Sequence, residues 1–316
     1  MTTFPFLPYL TFSRLRVSFE ALESLILTEY PGSALRSCMM EAMLGTACAK
    51  KQKKTCLDQC ELRYTCAWSV IFNSYSLPHH PHHGNFSRTP PPYMIEPTSG
   101  NQMQFKQGEN FGFYFTIIGN GICYLPQLLK AFENMGEIGI GRGRGKFKTV
   151  AFESMNADME YKPLSYFVQP EALSLSKLKI PRVDNQLKLV FQVGFHTRVN
   201  PNRMLDKAPT FDLLAHRLMN RLSLLAHFHC NAAWYDTPKN PPVTDIALIY
   251  QHTEMDMHQR KTKSMEEPMK FNGPIGTVVY EGNNLNEWMP LITLGSWLHV
   301  GSTTTMGSGI YTLVSD

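Results

Sequence analysis

The stretch "GEIGIGRGRGKFKTV" (Gly136–Val150) bears most directly on how this chain folds. It carries five glycines, two arginines and two lysines. The segment before it, "LPQLLKAFENM", has the apolar spacing of a short helix, and the segment that overlaps its end, "KFKTVAFE", alternates as a strand does. The predicted order is therefore helix, glycine-rich loop, strand.

That order excludes the two common nucleotide-binding loops. A dinucleotide-binding fingerprint places its glycines after a strand and before a helix, which is the reverse. A Walker loop needs G-x-x-x-x-G-K-[ST], but Ile140 stands at the first glycine position and Phe147 follows Lys146. Glycine lacks a Cβ, so the remaining interpretation is a loop that a ligand can approach closely, flanked by cations that suit an extended polyanion. A tight turn with solvated charges is the alternative.

A second copy of the pattern ends the chain. "LNEWMPLITLGSWLHVGSTTTMGSGIYTLV" (Leu285–Val314) again predicts a short helix, a glycine-rich loop and an alternating strand. Similar units at the ends of both halves indicate two related α+β domains, with chance similarity as the alternative. Further strands are predicted at "YLTFSRLRVSFEAL", "FGFYFTIIG", "QLKLVFQVGF" and "GPIGTVVYEG", and further helices at "PGSALRSCMMEAMLGTACA" and "FDLLAHRLMNRLSLLAHFH".

Composition excludes some classes of protein but does not indicate a particular function. The chain has 316 residues, 43% hydrophobic, and a formal net charge of +4, which permits an acidic partner without requiring one. No apolar run approaches the roughly 18 residues of a membrane helix. Seven cysteines, an odd number, disfavour a secreted disulfide scaffold. We expect a cytoplasmic protein with no membrane partner.

Two glycine-rich motifs, "GIGRGRGKF" and "HVGSTTTMGSGIY", make the chain resemble the CRISPR-associated pre-crRNA processing endoribonucleases of the RAMP superfamily. "ALRSCMMEAMLG", "CAWSVIF", "PPPYMIEP" and "HQRKTKSMEEPMKFNGPIGTV" support the resemblance, which covers nearly the whole chain. It implies an α+β protein of tandem ferredoxin-like (RAMP/RRM-like) domains, each ending in a glycine-rich loop and strand. Residues 1–160 would form the first domain, with a cysteine-bearing insertion, and residues 161–316 the second.

The resemblance also implies a function. Members of the family bind the hairpin of the CRISPR repeat RNA and cut once at its base without a catalytic metal or other cofactor. The product can remain bound and join other CRISPR effector subunits. The alternative is a RAMP subunit that grips RNA without cutting it. A metalloenzyme is a distant third class, because neither HExxH nor H-x-E…PCxxC occurs in the sequence.

Metal-independent cleavage uses the RNA's own 2′-hydroxyl as nucleophile, with a general base, a general acid and a cation for the phosphorane. The resembled family commonly carries its histidine on or near the first helix, but no histidine precedes His79 here, which favours the non-catalytic alternative. Arg36 is the prominent polar group on that helix. His196 and His258 each combine an imidazole with nearby cations, so these three residues are the catalytic candidates.

The RNA-binding candidates are the cations and glycines of the two loops and of two basic clusters. They are Arg142, Arg144, Lys146, Lys148, Arg198, Arg260, Lys261, Lys263, Gly301, Gly307 and Gly309.

Four cysteines form a candidate structural zinc site. Cys48, Cys56, Cys60 and Cys66 match the four thiolates of such sites, with Cys38 as a substitute ligand. The spacing C-x₇-C-x₃-C-x₅-C is irregular, so buried free cysteines are the favoured alternative.

Overall fold

The structure is a computed structural model that divides the chain into two units. The N-terminal unit comprises Thr11–Leu173 and Phe228–Asn231, and the C-terminal unit comprises the remaining segments. It describes residues 4–48, 60–77, 79–82, 87–98, 100, 102–200, 203–243, 245–260 and 269–314, with 258–260 and 269–271 described by their backbone.

The N-terminal unit is built on an antiparallel sheet. Its elements are β1 Thr11–Ala21, β2 Leu25–Ile26, α1 Pro31–Ala47, α2 Ala67–Phe72, β3 Tyr93–Pro97, β4 Gln104–Phe105, β5 Asn110–Ile118, α3 Leu125–Ile138, β6 Phe147–Met155 and β7 Tyr161–Pro163, with β8 Leu173–Ser174 at the boundary between the units. The strands run in the order β3-β5-β1-β6-β7. Strands β1, β3, β5 and β6 with helices α1 and α3 give the βαββαβ order of a ferredoxin-like domain.

The C-terminal unit repeats this topology. Its elements are β9 Gln186–Phe191, β10 Arg198–Asn200, β11 Arg203–Met204, α4 Phe211–Cys230, β12 Ala247–Arg260, β13 Met269–Glu281, α5 Leu285–Leu298 and β14 Tyr311–Val314. Its sheet runs β12-β13-β9-β14 with antiparallel neighbours. The predicted α+β class with tandem ferredoxin-like domains is confirmed.

Residue contacts place the boundary between the two units after Leu173, whereas the sequence predicts it between residues 160 and 161. Residues 161–163 form β7, which pairs with β6, and this pairing keeps the chain with the N-terminal sheet until Leu173. Residues 1–10 group with the C-terminal unit, where the ring of Phe4 lies 5.5 Å from that of Trp288. Strand pairing in the N-terminal unit and aromatic contact in the C-terminal unit thus account for the difference.

Aromatic packing holds each sheet to its helices. Phe132 of α3 meets Phe113 and Phe115 of β5 at centroid separations of 5.3 and 5.2 Å. In the C-terminal unit, Phe211 at the start of α4 contacts Tyr280 of β13 at 5.2 Å. Burying each such side chain contributes about 1.5–3 kcal/mol. Helix α3 ends where Gly139 adopts a φ of 81°, and the loop starts there.

Candidate nucleic-acid interface

The first glycine-rich loop, Gly139–Gly145, packs on its own chain. Gly141 has φ +74°, and a Cβ there would lie 1.9 Å from the carbonyl oxygen of Ile26. The Arg142 N–H donates to that same oxygen at 2.9 Å. Gly143 also has a positive φ, +83°, but a Cβ there would meet nothing within 4 Å. The chain itself therefore requires a glycine at position 141, whereas position 143 faces open space.

The two arginines of the loop differ in their contacts. The Arg144 guanidinium donates to both carboxylate oxygens of Glu41 on α1 at 3.2 Å. Both side chains of this pair are more than half exposed (64% and 52%). Exposed ion pairs stabilise little, so an RNA phosphate could compete for Arg144. Arg142 is exposed, and its side chain makes no hydrogen bond to any described residue.

The two lysines that follow the loop have different surroundings. Lys146 donates its ammonium to the Glu137 and Ile138 carbonyl oxygens at the end of α3. That contact offsets the negative end of the helix dipole. Lys148 pairs with Glu20 at 2.9 Å. The arginines are therefore the better placed of the four predicted cations for an added anion.

A cleft of about 250 Å³ separates α1 from the first loop. Its lining includes Ser37, Cys38, Glu41, Arg142 and Arg144. Burial raises the pKa of the Cys38 thiol to about 12, so this group stays protonated at neutral pH. The cleft thus presents a carboxylate and two guanidiniums, and its lining contains no imidazole. Sequence reasoning did not identify Glu41. The feature that could have pointed to it is its position one helical turn after Cys38 on α1.

Arg36 lies on α1 but outside the lining of this cleft. Its Nε donates to the hydroxyl of Tyr93 on β3 at 2.9 Å, and Tyr93 is fully buried. This contact ties α1 to the sheet. Arg36 therefore has a structural contact in addition to the cationic role predicted for it.

The second glycine-rich loop, His299–Gly309, closes on itself and on the end of β9. Val300 N–H donates to the Gly309 carbonyl at 3.2 Å, and Gly309 N–H donates to Gly194 at 3.1 Å. A Cβ on Gly309 would lie 1.8 Å from the Val300 carbonyl oxygen, and Gly301 and Gly307 also have positive φ. The three predicted glycines therefore shape this loop.

His196 lies directly beside the second loop. Its carbonyl oxygen accepts the Ser302 N–H at 2.7 Å. Its ring Nδ1 lies 3.0 Å from the Asn272 carbonyl oxygen. A carbonyl only accepts, so Nδ1 carries the hydrogen and Nε2 of the neutral ring carries the lone pair. That tautomer is the one a general base needs.

The β12–β13 hairpin brings a second predicted histidine to the same end of the sheet. His258 pairs in register with Phe271, the residue before Asn272. The His196 ring contacts the Asn272 carbonyl on β13, and the backbone of His258 on β12 pairs with the preceding residue of β13. Arg260 ends β12, whereas Lys261 and Lys263 lie outside the described residues. Arg198 is exposed at the start of β10.

Two family models match this chain. A model described as an N-terminal domain (AF_1859_N) matches residues 8–173, and the model for CRISPR-associated endoribonuclease Cas6 matches residues 189–311. The Cas6 match therefore lies in the C-terminal part of the chain. The resemblance drawn from the two glycine-rich motifs is confirmed.

Solved structures show the same Cas6 fold. A Cas6 product complex is 13% identical, with a TM-score of 0.56, and the match covers 96% of this chain and 100% of that one. Thermus thermophilus Cas6 is 12% identical, with a TM-score of 0.53, over 96% and 99% of the two chains. A partial Cas6-RT-Cas1--Cas2 complex is 14% identical, with a TM-score of 0.58, over 98% and 47%. No curated protein matches the sequence.

Other histidines of the chain lie within hydrogen-bonding distance of main-chain carbonyls. His216 contacts Pro238 at 3.0 Å, His227 contacts Ala232 at 2.8 Å, and His229 contacts Pro90 at 2.7 Å. These contacts give the three rings a structural role. Among the helices described, none is long and apolar enough to cross a membrane.

The cysteine segment is described only in part. The Sγ of Cys66 lies 3.8 Å from the carbonyl oxygen of Ala47, one residue before Cys48, and Cys60 precedes a short 3₁₀ turn. Cys56 lies outside the described residues. Within the described ranges, no three His, Cys, Asp or Glu side chains are arranged to hold a metal ion. The Cys38 thiol donates to carbonyls of Met135 and Gly139, which makes it a poor substitute ligand.

Proposed function

We propose that this chain, with its Cas6 match over residues 189–311, binds the hairpin of a CRISPR repeat RNA and processes pre-crRNA by a single metal-independent cut. The orientation of His196 carries the proposal. Its Nδ1–H is held by the Asn272 carbonyl, so its Nε2 is the basic nitrogen, and the residue is tied to the second glycine-rich loop through Ser302. A base beside a loop that suits phosphate is what 2′-hydroxyl attack requires.

The proposed reaction needs only the RNA and two side chains, and its proton transfers and bond changes balance. His196 Nε2 accepts the 2′-hydroxyl proton while the 2′-oxygen bonds to the adjacent phosphorus. The bond from phosphorus to the 5′-oxygen breaks, and His258 as imidazolium donates a proton to that oxygen. A cation of the same unit, such as Arg198, stabilises the phosphorane charge. The products are a 2′,3′-cyclic phosphate upstream and a free 5′-hydroxyl downstream.

Cleavage of a labelled repeat RNA in EDTA tests the chemistry. We expect one discrete product with the stated ends, and no product when the scissile ribose is 2′-deoxyribose. His196→Ala and His258→Ala should each lower the rate at saturating RNA by about 10²–10⁴-fold, as for general acid–base groups. His216→Ala is the matched control, because its ring also contacts a carbonyl in the C-terminal unit. Losses below roughly tenfold in both variants would place the base elsewhere, with tyrosine or lysine next to test.

A second candidate function is a RAMP subunit that binds RNA without cutting it. The α1 cleft favours this function because its lining contains no imidazole that could act as general base. Cys38 stays protonated there, and Glu41 is paired with Arg144. Tight binding of the repeat RNA with no product over long incubation would select this function. In either case the chain would hold the crRNA hairpin, and other CRISPR effector subunits would be its partners.

A further inference from the structure

A groove of about 720 Å³ lies on the N-terminal unit between α3 and β6. Strand β7 pairs with β6 at residues 153–155, so no described strand lies beside residues 147–151 on that edge. The apolar residues that define this β6 groove are Leu22, Phe147, Val150, Phe152 and Leu164. The open edge of β6 therefore carries an apolar surface that the described chain leaves uncovered.

A β-bulge turns one of these apolar side chains toward solvent. The pairing of β1 with β6 shifts register between Ser18 and Phe19, which leaves Val150 as an extra residue on β6. Bulges of this kind redirect a side chain. Val150 is 53% exposed, and Leu22 at the same groove is 44% exposed.

The charged side chains along the β6 groove already have partners. Three ion pairs within the unit engage them: Glu133 with Lys130, Lys148 with Glu20, and Glu153 with Arg16. A partner that entered the groove would therefore leave these pairs in place, and an apolar side chain suits it better than a charged one.

A tight turn at the rim of the groove presents a fully exposed aromatic ring. Phe167 is 99% exposed. The backbone on either side of it is held, because the Leu164 N–H donates to the Phe152 carbonyl at 2.8 Å and the Val168 N–H donates to the Ser165 carbonyl at 3.2 Å. Exposed apolar surface of this kind marks an interaction site.

Tyr166 anchors the same turn to α3. Burial and a hydrogen bond to the Glu133 carboxylate raise the pKa of its hydroxyl. Glu133 is itself paired with Lys130 at 3.0 Å. A ring on a backbone that is already fixed loses little conformational freedom when a partner covers it. Phe167 thus has the properties of an interface anchor, since it is large, exposed and held in position.

We propose that two copies of this chain associate through the β6 groove, with Phe167 of each copy entering the groove of the other. The ring and the groove share a rim, because Leu164 lines the groove three residues before Phe167. A two-fold axis therefore satisfies both features at once, whereas a partner of another kind would cover one groove and need an aromatic pocket of its own. One groove and one turn per copy make a small contact, below about 1,200 Å², so the dimer should dissociate on dilution.

Sedimentation of the full chain, freed of nucleic acid, tests the contact over a dilution series. Truncating an aromatic anchor weakens binding by about tenfold or more, and Phe167→Ser removes two anchors, so Kd should rise at least about a hundredfold. Val150→Arg places a charge in the groove and should have the same effect. The matched control is Met103→Ser, which changes a 41% exposed side chain of the same unit outside the groove and should dimerise like the wild-type chain. All three side chains are exposed, so circular dichroism should show wild-type folding in each variant.

A mixture of the two variants tests which surfaces meet. Phe167→Ser keeps an open groove and Val150→Arg keeps the aromatic ring, so a mixed pair can form one of the two contacts. The mixture should associate about tenfold more weakly than the wild-type chain, while each variant alone stays monomeric. A wild-type chain that is monomeric throughout, undiminished dimerisation of either variant, or a mixture that does not associate overturns the proposal. These measurements need no RNA and are independent of the proposed cleavage.

Discussion

Two glycines of the first loop allow the requirements of the fold to be tested separately from those of a bound ligand. Gly141→Ala and Gly143→Ala introduce the same methyl group at similar backbone angles, φ +74° and +83°. Holding a non-glycine residue in the left-handed region costs about 1–2 kcal/mol, and both variants bear that cost. They differ in what the methyl group meets.

The magnitudes follow from the surroundings of each Cβ. At position 143 the methyl group meets nothing within 4 Å, so the expected loss of unfolding free energy is only about 1–2 kcal/mol. At position 141 it would lie 1.9 Å from the Ile26 carbonyl oxygen, which forces the loop away from β2 and breaks the 2.9 Å bond from Arg142 N–H. Overpacking of this kind adds about 1–3 kcal/mol. Gly141→Ala should therefore cost about 2–5 kcal/mol in total.

Differential scanning calorimetry measures the difference between the variants. For a unit of this size, 1 kcal/mol shifts the melting temperature by roughly 2–4 °C, so Gly141→Ala should melt roughly 2–12 °C below Gly143→Ala. Hydrogen exchange at Arg142 locates the effect, because its amide is the one released. Equal melting temperatures would show that the loop does not rest on β2, and the packing argument would fail. If Gly143→Ala is stable but loses RNA affinity, the open position serves the ligand.

Three further outcomes are expected. The double change Arg142→Ala with Arg144→Ala should weaken hairpin binding and lower the log–log salt slope by about 0.7–0.9 for each lost phosphate contact, whereas an unchanged slope would assign both to a solvated turn. Burial raises the pKa of Cys38 to about 12, so the folded chain holds a proton that the unfolded chain loses above about pH 8.5. Stability should therefore fall by up to about 1.4 kcal/mol per pH unit from there toward pH 12, and Cys38→Ala should show a shallower fall; an identical pH profile would contradict this. A structural zinc in the Cys48–Cys66 segment predicts about one zinc per chain purified without added metal, and a content near zero with folding intact after chelation would reject it.

The elements with strong periodicity could be predicted from the sequence. Helix α4 was found where the spacing of its apolar residues placed it, and β5 where aromatic and β-branched residues cluster. Strand β12 was missed because it is the edge of its sheet. Tyr250 and Met257 on it are 54% and 71% exposed, so its apolar residues do not alternate as in a half-buried strand.

The residues of the candidate site could also be predicted only in part from the sequence. His196 could be singled out because a titratable ring stands beside cations just after a strand. The burial of Arg221 on α4 could not be predicted, because its position on the helix has the spacing of an ordinary polar face. Its contact with the Leu298 carbonyl depends on the packing of α4 against the loop that follows α5.

By itself, then, the sequence determined the α+β class, the repeated helix, loop and strand, and the residues whose chemistry suits RNA. Local rules suffice for these, because apolar period and glycine content act within a few residues of the chain. Only the tertiary structure decided which glycines the fold requires, which cations have counter-ions, and which nitrogen of His196 carries the lone pair. Each of these depends on an atom remote in sequence, such as the Ile26, Asn272 or Leu298 carbonyl, that folding brings within about 3 Å.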